Sequence, residues 1–440
     1  MSLLSPQIAS IPRHFSPGET GEELASPGLL AHPVNFLVEG YRTYGPIFST
    51  KYRGTACVVI AGQEANEFFW QNPENWSFAD ARKGFTNQLG PTHVTRLEGQ
   101  AHARKRRLLK PGFAMDAVTR LVPAMAETAR AYLASPEGRQ RDLMELLVRL
   151  LLTINSRTLL KVDLTEDEMK AAIGFEEDLM FGINNSVHPE EHYGQPRYCA
   201  DREATFALLD RQVTARLKGE RKDDNLQALM DQEAGDLGAL TPEELRYDCY
   251  LLLIAGIENT SRLLCRCLER LETLPAWKEQ IRAELAGYQP DTFSRGLGAH
   301  PKLRAFIQET ERLHPGLIFM SRRAARDLEF HGHTIPTGVT VLQVHTLLHF
   351  LSEYYPDPLR FDPSRWVAAE PSRKAHVAFG GGTHICLGMN VARLHTPVVL
   401  AELLLGYDVS LGYAPGFAYS LDPGRVRQRP PHPVSVSPRT

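Results

Sequence analysis

The sequence predicts a mainly α protein with a smaller β-rich lobe, an α+β arrangement held in a single domain. Three observations predict it. Apolar residues recur at helical period through most of residues 100–315. One early stretch, PIFSTKYRGTACVVIAG, is rich in β-branched residues and is broken by Gly54, which is the pattern of a hairpin. From about residue 320 onward, short β-rich runs alternate with Pro-rich turns before one last helix.

Taken in order, residues 1–32 are rich in Pro, Gly and Ser and read as an irregular leader, and 33–440 as the one domain. No basic segment followed by a long apolar run opens the chain, so no signal peptide is expected. Val34–Tyr44 reads as a helix ahead of the hairpin. Further helices are expected at Met115–Leu133, Arg141–Val162, Glu203–Lys218, Pro242–Leu274 and Ala276–Leu285. Pro242–Leu274 is expected as one continuous rod of roughly 50 Å at 1.5 Å per residue, apolar enough in its middle to run through the protein. There is no internal repeat, and no linker follows the leader.

Bulk composition narrows the class. The 440 residues are 43% hydrophobic and 23% charged, an ordinary globular balance, and the formal net charge is -3. Such a chain has no whole-molecule attraction for nucleic acid. No stretch reaches the ~20 apolar residues of a membrane span. The six cysteines lie at Cys57, Cys199, Cys249, Cys265, Cys267 and Cys386, with no CxxC pair. They are no disulfide framework, and a reducing, cytoplasmic setting is the expectation.

One of these cysteines stands apart. Around it the sequence reads Phe379-Gly-Gly-Gly-Thr-His-Ile-Cys386-Leu-Gly388, and a helix follows. A lone cysteine is most often a packing residue. The glycines could instead cradle phosphate, but there is no GxxxxGK[ST], and no GxGxxG follows a strand here. A thiolate ligand needs backbone N–H groups and a helix N-terminus to hold its charge, and glycines allow the backbone close to a flat macrocycle. The spacing FxxGxxxCxG closely resembles the heme-binding loop of the cytochrome P450 family. The resemblance runs over roughly residues 33–425. It implies heme b as cofactor, Cys386 as axial thiolate, and Phe379 and Gly388 beside the heme.

Other segments fall in the family's order. Glu309 and Arg312, one helical turn apart in FIQETERLHP, match its ExxR, and Arg365 in FDPSRW would close an Arg–Glu–Arg clamp with a structural role. His102, Arg106, Arg322 and His384 match positions that hold the heme propionates; Arg322 rather than Arg323 is assigned from its spacing to Asp327 and Gly332. Arg104, Lys105, Arg107 and Lys110 make the same segment strongly basic, which suits docking of a separate ferredoxin or flavodoxin.

Ala255-Gly256-Ile-Glu258-Asn259-Thr260 resembles the family's oxygen-activation motif, with one departure. Glu258 fills the acid position, but Asn259 stands where an alcohol is usual, and Thr260 is turned about 100° further round the helix. A carboxamide does not titrate, so Asn259 is expected to position a water or the substrate that completes proton delivery. An interior glycine costs about 1 kcal/mol, so Gly256 suggests that something comes close to the backbone.

The resemblance implies a monooxygenase that uses O2 and two electrons to oxidise a lipophilic small molecule. Competing readings are a peroxide-driven enzyme, which typically has Arg-Pro in place of the acid–alcohol pair, and a non-enzymatic heme sensor. Pocket residues are expected from Phe78–Leu97, Phe175–His188, Ala255 and Leu317–Met320. The early segment and FDPSRW are similar to sterol- and retinoid-type members, so a terpenoid, carotenoid or sterol-like substrate is expected, with a fatty acid as the alternative.

Overall fold

A computed structural model describes residues 8, 10–15, 26–139, 142–185, 189–231, 237–293, 297–368, 375–412 and 433–439. Most of the expected leader, Arg141 and the end of the expected pocket segment at His188 lie outside the described residues.

The strands are β1 (Ile47–Tyr52), β2 (Thr55–Ala61), β3 (Trp76–Ser77), β4 (Met320–Ala324), β5 (Leu328–Phe330), β6 (His333–Ile335), β7 (Thr340–Val344), β8 (Tyr407–Leu411) and β9 (Val434–Pro438). β1 and β2 form the expected hairpin. Its turn residues, Arg53 at φ 54° and Gly54 at φ 73°, both lie in the left-handed region that a two-residue hairpin turn requires. β2 pairs in parallel with β7, β7 antiparallel with β4, and β4 with the short β3. The five-stranded sheet therefore joins the start of the chain to its last third. Part of the leader adds to this lobe: Ser49 donates its N–H to Pro12 O at 2.7 Å, and His14 donates to Ser49 O at 2.8 Å.

Helices make the larger lobe. Leu143–Leu159 is its centre: Leu146, Leu147, Leu150, Leu151 and Ile154 are all at most 1% exposed. Only a narrow stripe with Glu145, Arg149 and Arg157 reaches solvent, so most of the helix is packed against others. Asp142 caps its start by accepting Glu145 N–H at 3.0 Å. The expected Met115–Leu133 helix is two pieces, Met115–Thr119 and Val122–Ala134, because Pro123 suits a first turn and not an interior. Pro196–Leu217 starts seven residues before Glu203, with Pro196 in its first turn.

The continuous rod is also corrected. Pro242–Leu253, opened by a Thr241/Glu244 capping box, stops short, and Ile257–Thr273 starts afresh. Gly256 between them sits at φ 88°, which side-chain-bearing residues rarely adopt. A Cβ added there would meet nothing of the chain within 4 Å. The glycine therefore serves the backbone conformation at the break, and no other part of the described chain packs on it.

Candidate functional site

The cysteine loop leaves the interior at Val377 and returns as the Met389–Gly406 helix. Gly380 at φ 72° and Gly382 at φ 64° fold it back on itself, and Cys386 N–H closes it on Phe379 O at 3.0 Å. Gly381 packs so closely on Trp70 that a Cβ there would lie 2.5 Å from the indole. Cys386 is accessible at the surface of this loop. Protein nevertheless crowds it, and desolvation pushes its thiol up; the N–H groups of Gly388 and Met389 at the helix start, with Arg106 and Arg393, pull the other way. Arg106 is held beside it by donating to Ile385 O at 2.7 Å. The thiol thus has donors and cations to favour its anion, and needs a metal to complete that balance.

Behind the loop lies the Glu309 cluster. Glu309 and Arg312 are fully buried in the Pro301–Leu313 helix and meet through two bonds of 2.8 Å. Arg365 Nε donates to the same carboxylate at 3.1 Å, Trp366 Nε1 at 2.8 Å and Asp362 N–H at 2.8 Å. The structure thus brings Glu309, Arg312 and Arg365 together. Arg312 also donates to His349 O and Pro358 O, each at 2.6 Å. His349 accepts Val377 N–H at Nε2, 3.1 Å, so its proton sits on Nδ1, 3.0 Å from Arg312 O. Val377 O in turn accepts Gly380 N–H at 2.9 Å. A continuous chain of bonds therefore runs from the buried ion pair to the turn that shapes the cysteine loop.

His102, Arg106, Arg322 and His384 converge on the other side of the loop. The rings of His102 and His384 stack at 4.1 Å. Burial first, then the neighbouring arginines, pull His102 down to about 4 and His384 to about 3, so both are neutral at pH 7. Arg322 is 2% exposed, whereas Arg323 faces outward. Among the described residues Arg322 donates only to Ser321 O, at 2.9 Å, and desolvation pulls it down to about 9. Among the described residues it meets no carboxylate in an ion pair. A buried guanidinium and two neutral imidazoles lacking an anion suit a ligand that brings carboxylates, as the two propionates of heme would.

The break in the helix at Gly256 is stabilised from outside. Ala255 N–H reaches back to Tyr250 O at 3.2 Å and Ile257 N–H turns to Ile254 O at 3.1 Å. Leu253 O loses its helical donor and is taken by the buried Asn155 Nδ2 at 2.9 Å. Glu258 pairs with Arg262 at 2.9 Å, Thr260 is buried, and Asn259 is exposed. Gly316 packs on the Asn259 amide: its Cβ would lie 3.0 Å from Oδ1. Among the described residues no hydrogen bond engages that amide.

Beyond Glu258 a small cleft opens between the Leu143–Leu159 helix, the Glu166–Asn185 helix and the break, lined by Ile173, Glu176, Glu177 and Ile257 among others. Tyr250 donates to Glu176, and desolvation pushes Glu176 up to about 8, with Glu258 and Glu177 adding to the rise.

The basic segment divides. Lys105 is fully buried and pairs with Glu244 and Asp248, each at 2.8 Å, so it cannot join a docking surface. Arg104 is tied to Glu244 at 2.8 Å and to Leu237 O at 2.7 Å. Arg107 and Lys110 are exposed. Helical spacing explains this: residues 104–107 point in turn around a helix, and one of them must face the core.

Sequence reasoning passed over Asn155, Arg393, Trp366 and Arg82. Only Asn155 left a signal, a lone carboxamide within the apolar run LLLTINSRTLL.

Comparison with known proteins closes the matter of family. The cytochrome P450 family model matches residues 26–415. Abscisic acid 8'-hydroxylase 3 of Oryza sativa subsp. indica is 28% identical over 389 residues, 85% of this chain and 77% of that protein. Putative cytochrome P450 135B1 of Mycobacterium bovis is 27% identical over 410 residues, 87% of this chain and 82% of that protein. A solved structure described as retinoic acid bound cyanobacterial CYP120A1 shares the fold at a TM-score of 0.78 with 23% identity, over 98% of this chain and 99% of that one. The chain belongs to the cytochrome P450 family. It is a monooxygenase whose cofactor is heme b. Among the described residues no helix is long and apolar enough to cross a membrane.

Proposed function

We propose that this P450 hydroxylates a terpenoid-type lipophilic substrate, with electrons from a separate ferredoxin or flavodoxin. The carrying observation is the segment Leu317–Met320. These apolar residues stay only partly buried, and Gly316 just before them packs on the Asn259 amide. An apolar wall thus adjoins the helix that bears the oxygen-activation motif. The names of the relatives, an abscisic acid hydroxylase and a retinoic acid complex, support a terpenoid within that class.

In this reading Cys386 ligates the heme iron, and Arg322, Arg106, His102 and His384 hold the propionates. Bound in this way, the heme supplies two-electron activation of O2 and insertion of one oxygen atom into a C–H bond. The chain's own groups do the rest. The Glu309 cluster fixes the loop that presents Cys386. Glu258, held against Arg262, fills the acid position of the motif, and Asn259 orients the donor that passes protons onward. Arg107, on the helix whose Arg106 touches the cysteine loop, and Lys110, just past its end, meet the acidic face of the electron carrier.

Reconstitution with a ferredoxin and its reductase tests the whole reading. The reduced, carbon-monoxide-bound protein is expected to show the red-shifted thiolate band, and Cys386→Ser to lose it. Arg107→Glu with Lys110→Glu is expected to raise the KM for the carrier several-fold at low salt, with product formed from terpenoids in both proteins. Absence of the thiolate band sinks the ligand assignment. An unchanged KM removes the docking face.

A further inference from the structure

A cation at the rim of the β-rich lobe is not accounted for by the heme. Arg82 ends the short helix Phe78–Ala81 and is only partly exposed. Its Nε donates to Ser321 Oγ at 3.1 Å, and its guanidinium lies 5.9 Å from the centre of the Phe78 ring. Among the described residues its terminal nitrogens meet no acceptor, and no carboxylate pairs with it. Burial disfavours this charge, as the lowering of its pKa by desolvation shows.

The charges around it do not compensate. Tyr52 and Arg53 act on it from the β1–β2 turn and Tyr193 from the Pro189–Tyr193 helix. Arg322 acts from β4, against the same Phe78 ring at 4.6 Å. Glu98, the nearby carboxylate that acts on Arg322, is occupied at Oε1 by Phe78 N–H at 2.8 Å and Ala79 N–H at 3.1 Å. Arg82 and Arg322 thus set two cations over the Phe78 ring, beside Tyr52, on which Phe319 packs at 5.3 Å. Arg82 adjoins the propionate cluster through Arg322, but the charges that act on His102 and His384 are Arg106, Arg322 and, for His384, His102, and not Arg82.

We propose that Arg82, with the Ser321 hydroxyl beside it, binds a carboxylate of the substrate, so that the preferred substrates are lipophilic carboxylic acids. A guanidinium with free terminal N–H groups meets a carboxylate bidentately, and Ser321, which accepts from Arg82, keeps its own hydrogen for the same anion. The anion offsets a desolvated charge that the fold leaves unpaired. Anchoring one end of an elongated molecule at the rim leaves its apolar body along Leu317–Met320 and its far end toward Asn259. This rests on the lipophilic-substrate reading above and gives it a head group.

Spectral titration of the heme-loaded protein tests it with retinoic acid and its methyl ester, and with palmitic acid and methyl palmitate. The wild type is expected to bind an acid at least about tenfold more tightly than its ester, the scale of one charge-assisted hydrogen bond. Arg82→Gln is expected to abolish that preference while ester affinity and heme content hold, and Arg82→Lys to restore part of it. Equal binding of acid and ester by the wild type overturns the proposal, as does the lack of a spectral shift with either acid. Loss of heme from Arg82→Gln also overturns it and assigns the residue to the propionates. An acid preference confined to the palmitate pair upholds the anion site and removes the terpenoid reading.

Discussion

Asn259 is the residue that the sequence sets apart within the oxygen-activation motif. Its amide is exposed beside Gly316, with no hydrogen bond among the described residues, so it is free to orient a water or a substrate group. Asn259→Ala is expected to lower product formed per electron pair several-fold and raise peroxide release, with heme content unchanged. Unchanged coupling in that variant shows the amide to be a bystander. Glu176 belongs at the same scale. Desolvation lifts it from 4.5 to about 8, so between those values the folded protein holds a proton that the unfolded chain has lost. That contribution is complete below pH 4.5 and is lost as pH rises through about 8. Glu176→Gln is expected to flatten the fall in stability across this window, measured by denaturant titration at a series of pH values. An equal slope in both proteins assigns the pH dependence elsewhere.

At the scale of elements, the interrupted helix is the decisive feature. Its backbone leaves Leu253 O without a helical donor, and one side chain from a neighbouring helix supplies the replacement. Asn155→Ala leaves that carbonyl unsatisfied in the core, at a cost of about 1–3 kcal/mol. Denaturant unfolding is expected to show this loss, accompanied by a changed substrate-induced spectral shift because the motif Ala255–Thr260 rests on the break. Stability within a few tenths of a kcal/mol of the wild type contradicts the account. The expectation of an unbroken rod failed for an identifiable reason. Periodicity measures which face is apolar, and a one-residue excursion at Gly256 barely disturbs it, because Pro242–Leu253 and Ile257–Thr273 both keep buried faces. The same limitation hid the division at Pro123, where the apolar pattern continues across two helices.

At the scale of the molecule, the Glu309 cluster links parts of the chain that are far apart in sequence. It ties the Pro301–Leu313 helix to Arg365, and through His349 to the strand of backbone that enters the cysteine loop. Breaking a buried ion pair from one side typically costs about 3–5 kcal/mol, since the remaining charges are left without a partner. Glu309→Gln is expected to reduce heme retention sharply, read as the ratio of heme absorbance to protein, and to lower the unfolding midpoint. Full heme occupancy at wild-type stability rules out a linking role for the cluster.

The sequence alone determined the class. Cys386 with Phe379, Gly382 and Gly388, and Glu309 with Arg312, are local patterns, and a loop or a helical turn carries its spacing within a few residues. The hairpin at Arg53-Gly54 was legible for the same reason. Tertiary structure alone decided which charges face inward. Lys105 and Arg107 are two residues apart in one basic run, yet one is buried against Glu244 and Asp248 and the other is exposed. It also decided that Arg322 and Arg82 lie in desolvated surroundings where, among the described residues, no carboxylate pairs with them. Burial and the absence of a partner depend on segments hundreds of residues away, and no local pattern in the chain encodes them.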